Sequence, residues 1–378
     1  YMLNQSMTRK NLNLLKGNIL QKHFSGNILD KDFDDTIETI NVKLSDDNYQ
    51  FDDFLTKSLN GKPGFDCACA ADELVLKKLN DNIKRLFKIK TSDRHAIVKQ
   101  TVSLIKDTQP ISIIRLDIKD FYESIDRRSV IDFIHNEWLL SHQNRKILKA
   151  FNNSKSFTHL SGLPRGLSIS STLSELRMRH FDTKLRQIDE IFFYGRFVDD
   201  IIVFCIGDPE SILVRLKVLL GKCAPELEFN NKTFIYNAHK KNLRNEAIDY
   251  LGYRFIFETN PKKLCEPRKI DVEISASKIK KIKGRIEKSF RSYNRTRTYP
   301  LLLARMKFLT GNQYIIGDIE RTKLKSGIYY NYPLITTKHQ LKELDLFYQK
   351  LLTTKKKPIA DAIEMIKRHN SSSSKYTR

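Results

Sequence analysis

The stretch FFYGRFVDDIIVF, residues 192–204, decides how this chain is read. Two adjacent acids, Asp199 and Asp200, interrupt a run that is otherwise largely apolar and aromatic. An unpaired carboxylate inside a buried strand is costly. IFFYGRF and IIVFCI each read as a strand, so the acids fall at or beside a hairpin tip, clear of the buried positions. Asp also favours turns for local hydrogen-bonding reasons, so this pair alone does not establish chemistry. A functional reading needs another acid, and clustered carboxylates want a cation, most naturally Mg²⁺ with its preference for oxygen ligands.

That acid is available in IIRLDIKDFYESID (113–126), where Asp117 closes the short β-branched strand SIIRLDI (112–118). A strand lying beside the hairpin would bring Asp117, Asp199 and Asp200 to one sheet edge. Three carboxylates can hold two Mg²⁺ ions about 3.5–4 Å apart, an arrangement used for in-line phosphoryl transfer, with Mn²⁺ as a substitute.

Around this centre the pattern is α+β. Residues 8–60 are polar and irregular, with short helices that cannot be placed, and NGKPGF (60–65) reads as a loop. Helical periodicity covers 70–90 and 96–106, and a further helix runs from about Ser129, a plausible N-cap, through Trp138. HLSGLPRGLSIS (159–170) is a loop before another helix. DPESILVRLKVLLGK has Asp208 and Pro209 at a helix start. Strands return in LEFNNKTFIY and AIDYLGYRFIF. From about 271 the chain reads as helical and basic, and the tail 371–378 as disordered.

The 378 residues suffice for a large core and more than one domain. The formal charge is +23, which points to a polyanionic partner, nucleic acid above all. A solvated basic surface is the plainer alternative. Residues 261–300 hold 13 Lys/Arg against 4 Asp/Glu, whereas 30–53 is acid-rich. No apolar run approaches the roughly 18–20 residues of a membrane span. The first residues lack a signal-peptide pattern, so a cytoplasmic location is expected. Five cysteines without paired CxxC spacing argue against a disulfide framework and a zinc site.

The wording of several segments resembles the reverse transcriptase family. RLDIKDFYESID resembles its motif A, SGLPRGLSISSTLSEL motif B, YGRFVDDIIVF motif C, LEFNNKTFIY motif D and YLGYRF the primer-grip motif E. They occur in family order across roughly residues 90–257. The resemblance implies a right-hand polymerase: an N-terminal extension (1–69), fingers and palm (70–258), and a basic helical thumb and C-terminal region (259–370).

The same resemblance implies residue roles. Asp117, Asp199 and Asp200 match the metal-binding acids, with the Ile118 carbonyl as a further ligand. Tyr122 matches the aromatic that stacks under the nucleotide sugar and excludes a 2′-hydroxyl, favouring dNTPs; the alternative is a core aromatic. The backbone amides of Asp120 and Phe121 would face the triphosphate. Arg165 and Gly166 match the pair beside the incoming nucleotide; glycine allows close approach and arginine bidentate phosphate binding. Lys232 would protonate pyrophosphate, unless it is a surface lysine. Arg94 and Lys99 would grip the triphosphate, or else cover a helix surface. Tyr250, Leu251, Gly252 and Tyr253 would form the primer grip. Lys278, Lys281, Lys283, Arg285 and Lys288 would follow a duplex backbone.

The chain departs from the family pattern at Phe197, where tyrosine is commonest, at Arg165, where many members have glutamine, and at SISS, where many have a Ser-Pro step. No RNase H-like cluster of acids follows residue 260. The motif A and B wording is most similar to bacterial defence-associated reverse transcriptases, with a component of the type 3 two-polymerase system as the nearest likeness. That likeness implies a non-coding RNA template, a DNA or RNA primer–product duplex, dNTPs, and a second reverse transcriptase or further copies as partners. Untemplated or protein-primed synthesis, a non-catalytic RNA-binding scaffold, and a retron or group II intron enzyme are the alternatives.

Overall fold

The computed structural model describes residues 3–17, 19–24, 30–45, 49–59, 61–107, 111–231, 233–237, 247–257, 269–311, 314–316, 323–325, 327–355 and 357–373. Helices α1 (Arg9–Asn13), α2 (Ile19–His23) and α3 (Asp30–Ser45) open the chain. In α3 the buried Phe33, Ile37 and Ile40 recur at four and three residues, a helical stripe hidden among acids. Strands β1 (Leu55–Leu59) and β2 (Lys62–Asp66) form an antiparallel hairpin. This corrects the loop expected at 60–65. Pro63 is tolerated because the ribbon has only two strands, so one side of each lies outside the β1–β2 ladder.

Helices α4 (Ala70–Leu86) and α5 (Arg94–Lys106) precede β3 (Ser112–Asp117). Then come α6 (Phe121–Ser124), α7 (Arg127–Asn136), α8 (His142–Asn152) and α9 (Ser168–Leu185). The cap of α7 is Asp126, which accepts from the Arg128 amide, rather than the expected Ser129. Ser129 instead donates to the Asp126 carboxylate. Strands β4 (Ile191–Phe197) and β5 (Asp200–Cys205) lead into α10 (Pro209–Cys223). As its sequence suggests, α10 is capped by Asp208, with Pro209 in the first turn. Strand β6 (Phe234–Asn237) follows.

The remaining strands are β7 (Ala247–Tyr250), β8 (Tyr253–Phe257) and β9 (Ile270–Ile274). Helices α11 (Ala276–Thr296) and α12 (Tyr299–Thr310), strands β10 (Tyr314–Ile316) and β11 (Lys323–Lys325), and helices α13 (His339–Leu352) and α14 (Ile359–Ser373) complete the order. Strand β9 lies where helix was expected to begin. Its buried Ile270, Val272 and Ile274 alternate with Asp271 and Glu273, a period of two. Helix α14 continues to Ser373, into the segment expected to be disordered.

Contacts divide the chain into two units, the first built from 1–93 and 111–239, the second from 94–110, 240–317 and 321–378. The first holds a four-stranded antiparallel sheet in the order β4-β5-β3-β6. Its inner strands are buried along nearly their whole length, which explains the largely apolar run IIRL, broken only by Arg115, and the continuous apolar run IIVFC. The second holds the sheet β7-β8-β9 and the α11–α14 helices, with Ile286, Phe290 and Tyr293 of α11 buried against Leu302, Leu351 and Ile363. The architecture is thus mixed helix and antiparallel sheet. Among the described residues no helix is long and apolar enough to cross a membrane.

Candidate active site

Asp117 is the last residue of β3 and pairs across the ladder with Asp200, the first residue of β5. Phe197 pairs with Asp200 across β4–β5, leaving Val198 and Asp199 as the turn. The Ile118 amide donates to the Asp199 carbonyl at 3.2 Å, tying the end of β3 to that turn. All three acids are half-buried. The structure therefore brings the motif A and motif C acids to one end of one sheet.

The turn is held in an unfavourable conformation. Val198 has φ +61°, a region that β-branched residues rarely adopt. Its carbonyl accepts from Arg196 at 3.1 Å. Arg196 is itself buried, paired with Glu175 and Asp182 of α9 at 2.7 Å each. Tyr194 donates to the same Asp182 at 2.6 Å. Despite its desolvation, Arg196 is pushed above its ordinary pKa by these acids. A buried ion network thus anchors the strand immediately before the acids to the helix behind it, and such over-determination is what keeps a strained backbone in place.

Each acid has a distinct partner. Asp200 accepts from Arg115 of β3 at 3.1 Å. Asp117 accepts from the Asn230 side-chain amide, while its carbonyl accepts the Asn230 backbone amide at 2.8 Å. Burial raises the Asp199 pKa, and the charge of Asp200 adds to the rise. Arg115 and Asn230 were not singled out by the sequence; Asn230 stands two residues before the motif D lysine but gives no signal by itself. Among the described residues, the His, Cys, Asp and Glu group with ligand atoms mutually within 4.8 Å is Asp52, Cys69 and Asp72. There the Lys43 ammonium sits 2.8 Å from Asp52 and 2.9 Å from Asp72, so a cation already meets that charge.

Next to the acids lies α6. Asp120 caps it with φ +45° and pairs with Lys62 at 2.5 Å; Phe121 is buried. Tyr122 is half-buried and neighbours the Ser174 side chain. The Arg165 guanidinium lies 5.2 Å from the centre of the Tyr122 ring and pairs bidentately with Glu123, at 2.5 and 2.9 Å. This pairing, chiefly the Arg165 hydrogen bond, holds the Glu123 carboxyl at about 2. Gly166 has φ +96°, and a Cβ there would lie 2.5 Å from the Phe65 carbonyl, so the motif B loop and β2 meet backbone to backbone. The Phe65 amide donates to the Arg165 carbonyl at 2.7 Å.

Acids in register at a strand end and a hairpin turn, flanked by an aromatic and an arginine, can bind cations and polyphosphate. Comparison with known families agrees: residues 71–255 match the family model described as reverse transcriptase (RNA-dependent DNA polymerase). The chain carries a reverse transcriptase domain. That domain supports RNA-directed DNA polymerase activity, a nucleotidyl transfer that uses dNTPs and a nucleic-acid template and primer. No curated protein matches the chain.

The reverse transcriptase match ends within β8, and the remaining candidate residues fall in the second unit. Leu251 and Gly252, with φ +46° and +76°, form the two-residue turn between Tyr250 and Tyr253. Both tyrosines are buried. Arg94 lies at the start of α5 and donates to the Leu251 carbonyl through Nε at 3.1 Å and through a second nitrogen. Lys99 is exposed on the same helix. Neither belongs to the unit that holds the acids, so the structure groups them with motif E. On α11, Lys281, Arg285 and Lys288 are exposed at four- and three-residue spacing. Lys283 pairs with Glu343 at 2.5 Å. Lys278 turns inward, bonded to Asn331 with its ammonium 5.1 Å from the Tyr253 ring centre. Burial and the Arg94 charge lower its pKa to about 8. Lys232 lies outside the described residues.

Proposed function

We propose that the protein copies an associated non-coding RNA into DNA during bacterial antiviral defence, adding dNTPs to a 3′-hydroxyl with two bound Mg²⁺ ions. The observation that carries the chemistry is the register of Asp117 opposite Asp200, with Asp199 in the adjoining turn. Carboxylates and a backbone carbonyl are hard oxygen donors, which suits Mg²⁺ and admits Mn²⁺. Asp117, Asp199, Asp200 and the Ile118 carbonyl would hold the ions. Ions bound there lower the pKa of an attacking hydroxyl and offset the charge on the triphosphate and departing pyrophosphate.

The protein's own residues supply orientation. Asn230 fixes Asp117, Arg115 fixes Asp200, and Arg196 fixes the turn. Tyr122 would lie under the sugar and exclude a 2′-hydroxyl, with the amides of Asp120 and Phe121 toward the triphosphate. Lys232 would protonate the leaving group. In a right-hand arrangement, residues 70–258 would be fingers and palm and 259–370 the thumb. The 250–253 turn would grip the primer, and Lys281, Arg285 and Lys288 would follow the duplex backbone. The defence role, the RNA template and a second polymerase or further copies as partners rest on the likeness of motifs A and B.

The test is to purify the protein with its accompanying nucleic acid, add Mg²⁺ and labelled dNTPs, and sequence the product beside the Asp199→Ala/Asp200→Ala variant. Metal-dependent DNA complementary to a co-purifying RNA and absent from the variant is expected. DNA without a matching template would replace the templated reading with untemplated synthesis.

A further inference from the structure

We propose that Glu123 and Arg165 form a brace on the Tyr122 ring and so set the discrimination between dNTPs and rNTPs. This rests on the reading of Tyr122 as the sugar gate. A gate that excludes a single hydroxyl works only if its ring cannot yield. Misplacement of a positioning group by about 1 Å can cost ~100-fold in an enzyme, so tenths of an ångström matter at such a wall.

Both the ring and the backbone that carries it are held. Arg165 lies over it, 5.2 Å from the centroid, and its fork is fixed by both oxygens of Glu123, the next residue on α6. A planar guanidinium can stack on a ring and pair with a carboxylate at once; an ammonium cannot make both contacts in this geometry. Lys62 of the β1–β2 hairpin approaches Glu123 at 3.4 Å and steadies the carboxylate. The backbone beneath is equally tight. The Leu163 amide donates to the Tyr122 carbonyl at 2.7 Å. A Cβ on Gly162 would lie 2.5 Å from that carbonyl oxygen and 2.4 Å from that of Glu123, so only glycine permits this approach. Tyr122 and Arg165 both sense the charge of Asp199, which puts the brace beside the catalytic acids.

This adds a duty to the one expected of Arg165. Its Nε and one terminal nitrogen are committed to Glu123, so only the end-on edge of the guanidinium stays open to a phosphate. The two roles separate by one ratio. A phosphate contact serves dNTP and rNTP alike, whereas a brace on the gate serves only their difference.

The full-length protein, with its co-purified nucleic acid and Mg²⁺, would be assayed for kcat/KM with dCTP and with CTP. Wild type would be compared with Arg165→Lys, Glu123→Gln and Tyr122→Ala. The two mild substitutions, made separately, guard against one that misfolds. The dCTP-to-CTP ratio should fall about tenfold in Arg165→Lys and in Glu123→Gln, and further in Tyr122→Ala. Equal losses toward both nucleotides at positions 123 and 165, with the ratio lowered only by Tyr122→Ala, would overturn the brace and leave the gate. An unchanged ratio in Tyr122→Ala would remove the gate reading and the brace with it.

Discussion

Asp117 and Asp200 stand opposite one another across the β3–β5 ladder, yet each carboxylate is held by a different partner, Asn230 for one and Arg115 for the other. Two like charges brought into register would repel, and the flanking donors offset that repulsion. With Arg115 already on Asp200, the acids are unequal. Asp117→Asn or Asp199→Asn should lower dNTP incorporation about 10³-fold, roughly 4 kcal/mol of barrier, and Asp200→Asn clearly less. Labelled-nucleotide incorporation at matched protein concentrations checks the order; equal losses at all three positions would contradict it.

Arg196→Met should destabilise the first unit by about 3–5 kcal/mol, because Glu175 and Asp182 would be left facing each other without their buried cation. Urea unfolding would report this as a lowered midpoint. A midpoint close to wild type would mean that water reaches the acids and the network is not what holds the turn.

Two glycines should respond oppositely to alanine. Gly162→Ala would drive a methyl group into the backbone of Tyr122 and Glu123 and should cost about 2 kcal/mol or more. Gly221, inside α10 with nothing near its missing Cβ, should gain roughly 0.5–1 kcal/mol. Thermal melts of the two variants side by side distinguish backbone approach from helix propensity.

Lys278 carries a pH signature. Its folded pKa of about 8 lies below the ordinary 10.5, so between these values the unfolded chain binds the proton more tightly. Stability should therefore rise as pH increases through that window, and be lowest below it, where the buried ammonium must stay charged. Comparing urea midpoints at pH 7.5 and 9.5 in wild type and Lys278→Met tests the sign. The wild type should gain on the variant as pH rises.

Replacing Lys281, Arg285 and Lys288 together with alanine should weaken duplex binding and flatten its dependence on salt. Each lost phosphate contact lowers the slope of log affinity against log salt by about 0.9. A change of about 2–3 in slope, measured by fluorescence anisotropy, is the expected result; an unchanged slope would take this face of α11 out of the duplex path.

Much of the scaffold around the acids was legible in the residues themselves. Strands β3, β4 and β5 announce themselves by short β-branched and aromatic runs, and α10 by Asp208 and Pro209 at its start. These signals are local, carried by neighbours along the chain. Helix α3 was missed because its apolar stripe is thin beneath many acids, and β9 because a basic helix follows it directly.

What only the tertiary structure decided is which residues meet. The pairing of Asp117 with Asp200 depends on strand register, and one residue of slip would turn one of them to the other face. The partners Asn230, Arg115 and Glu175 lie far along the chain or look like ordinary surface charges until the fold buries them. Arg165 likewise reads as a phosphate ligand in sequence and becomes the partner of Glu123 only when the motif B loop closes on α6. Local propensity determined the elements; desolvation and register, which act only once the sheet and helices have packed, determined the charge pairs within the site.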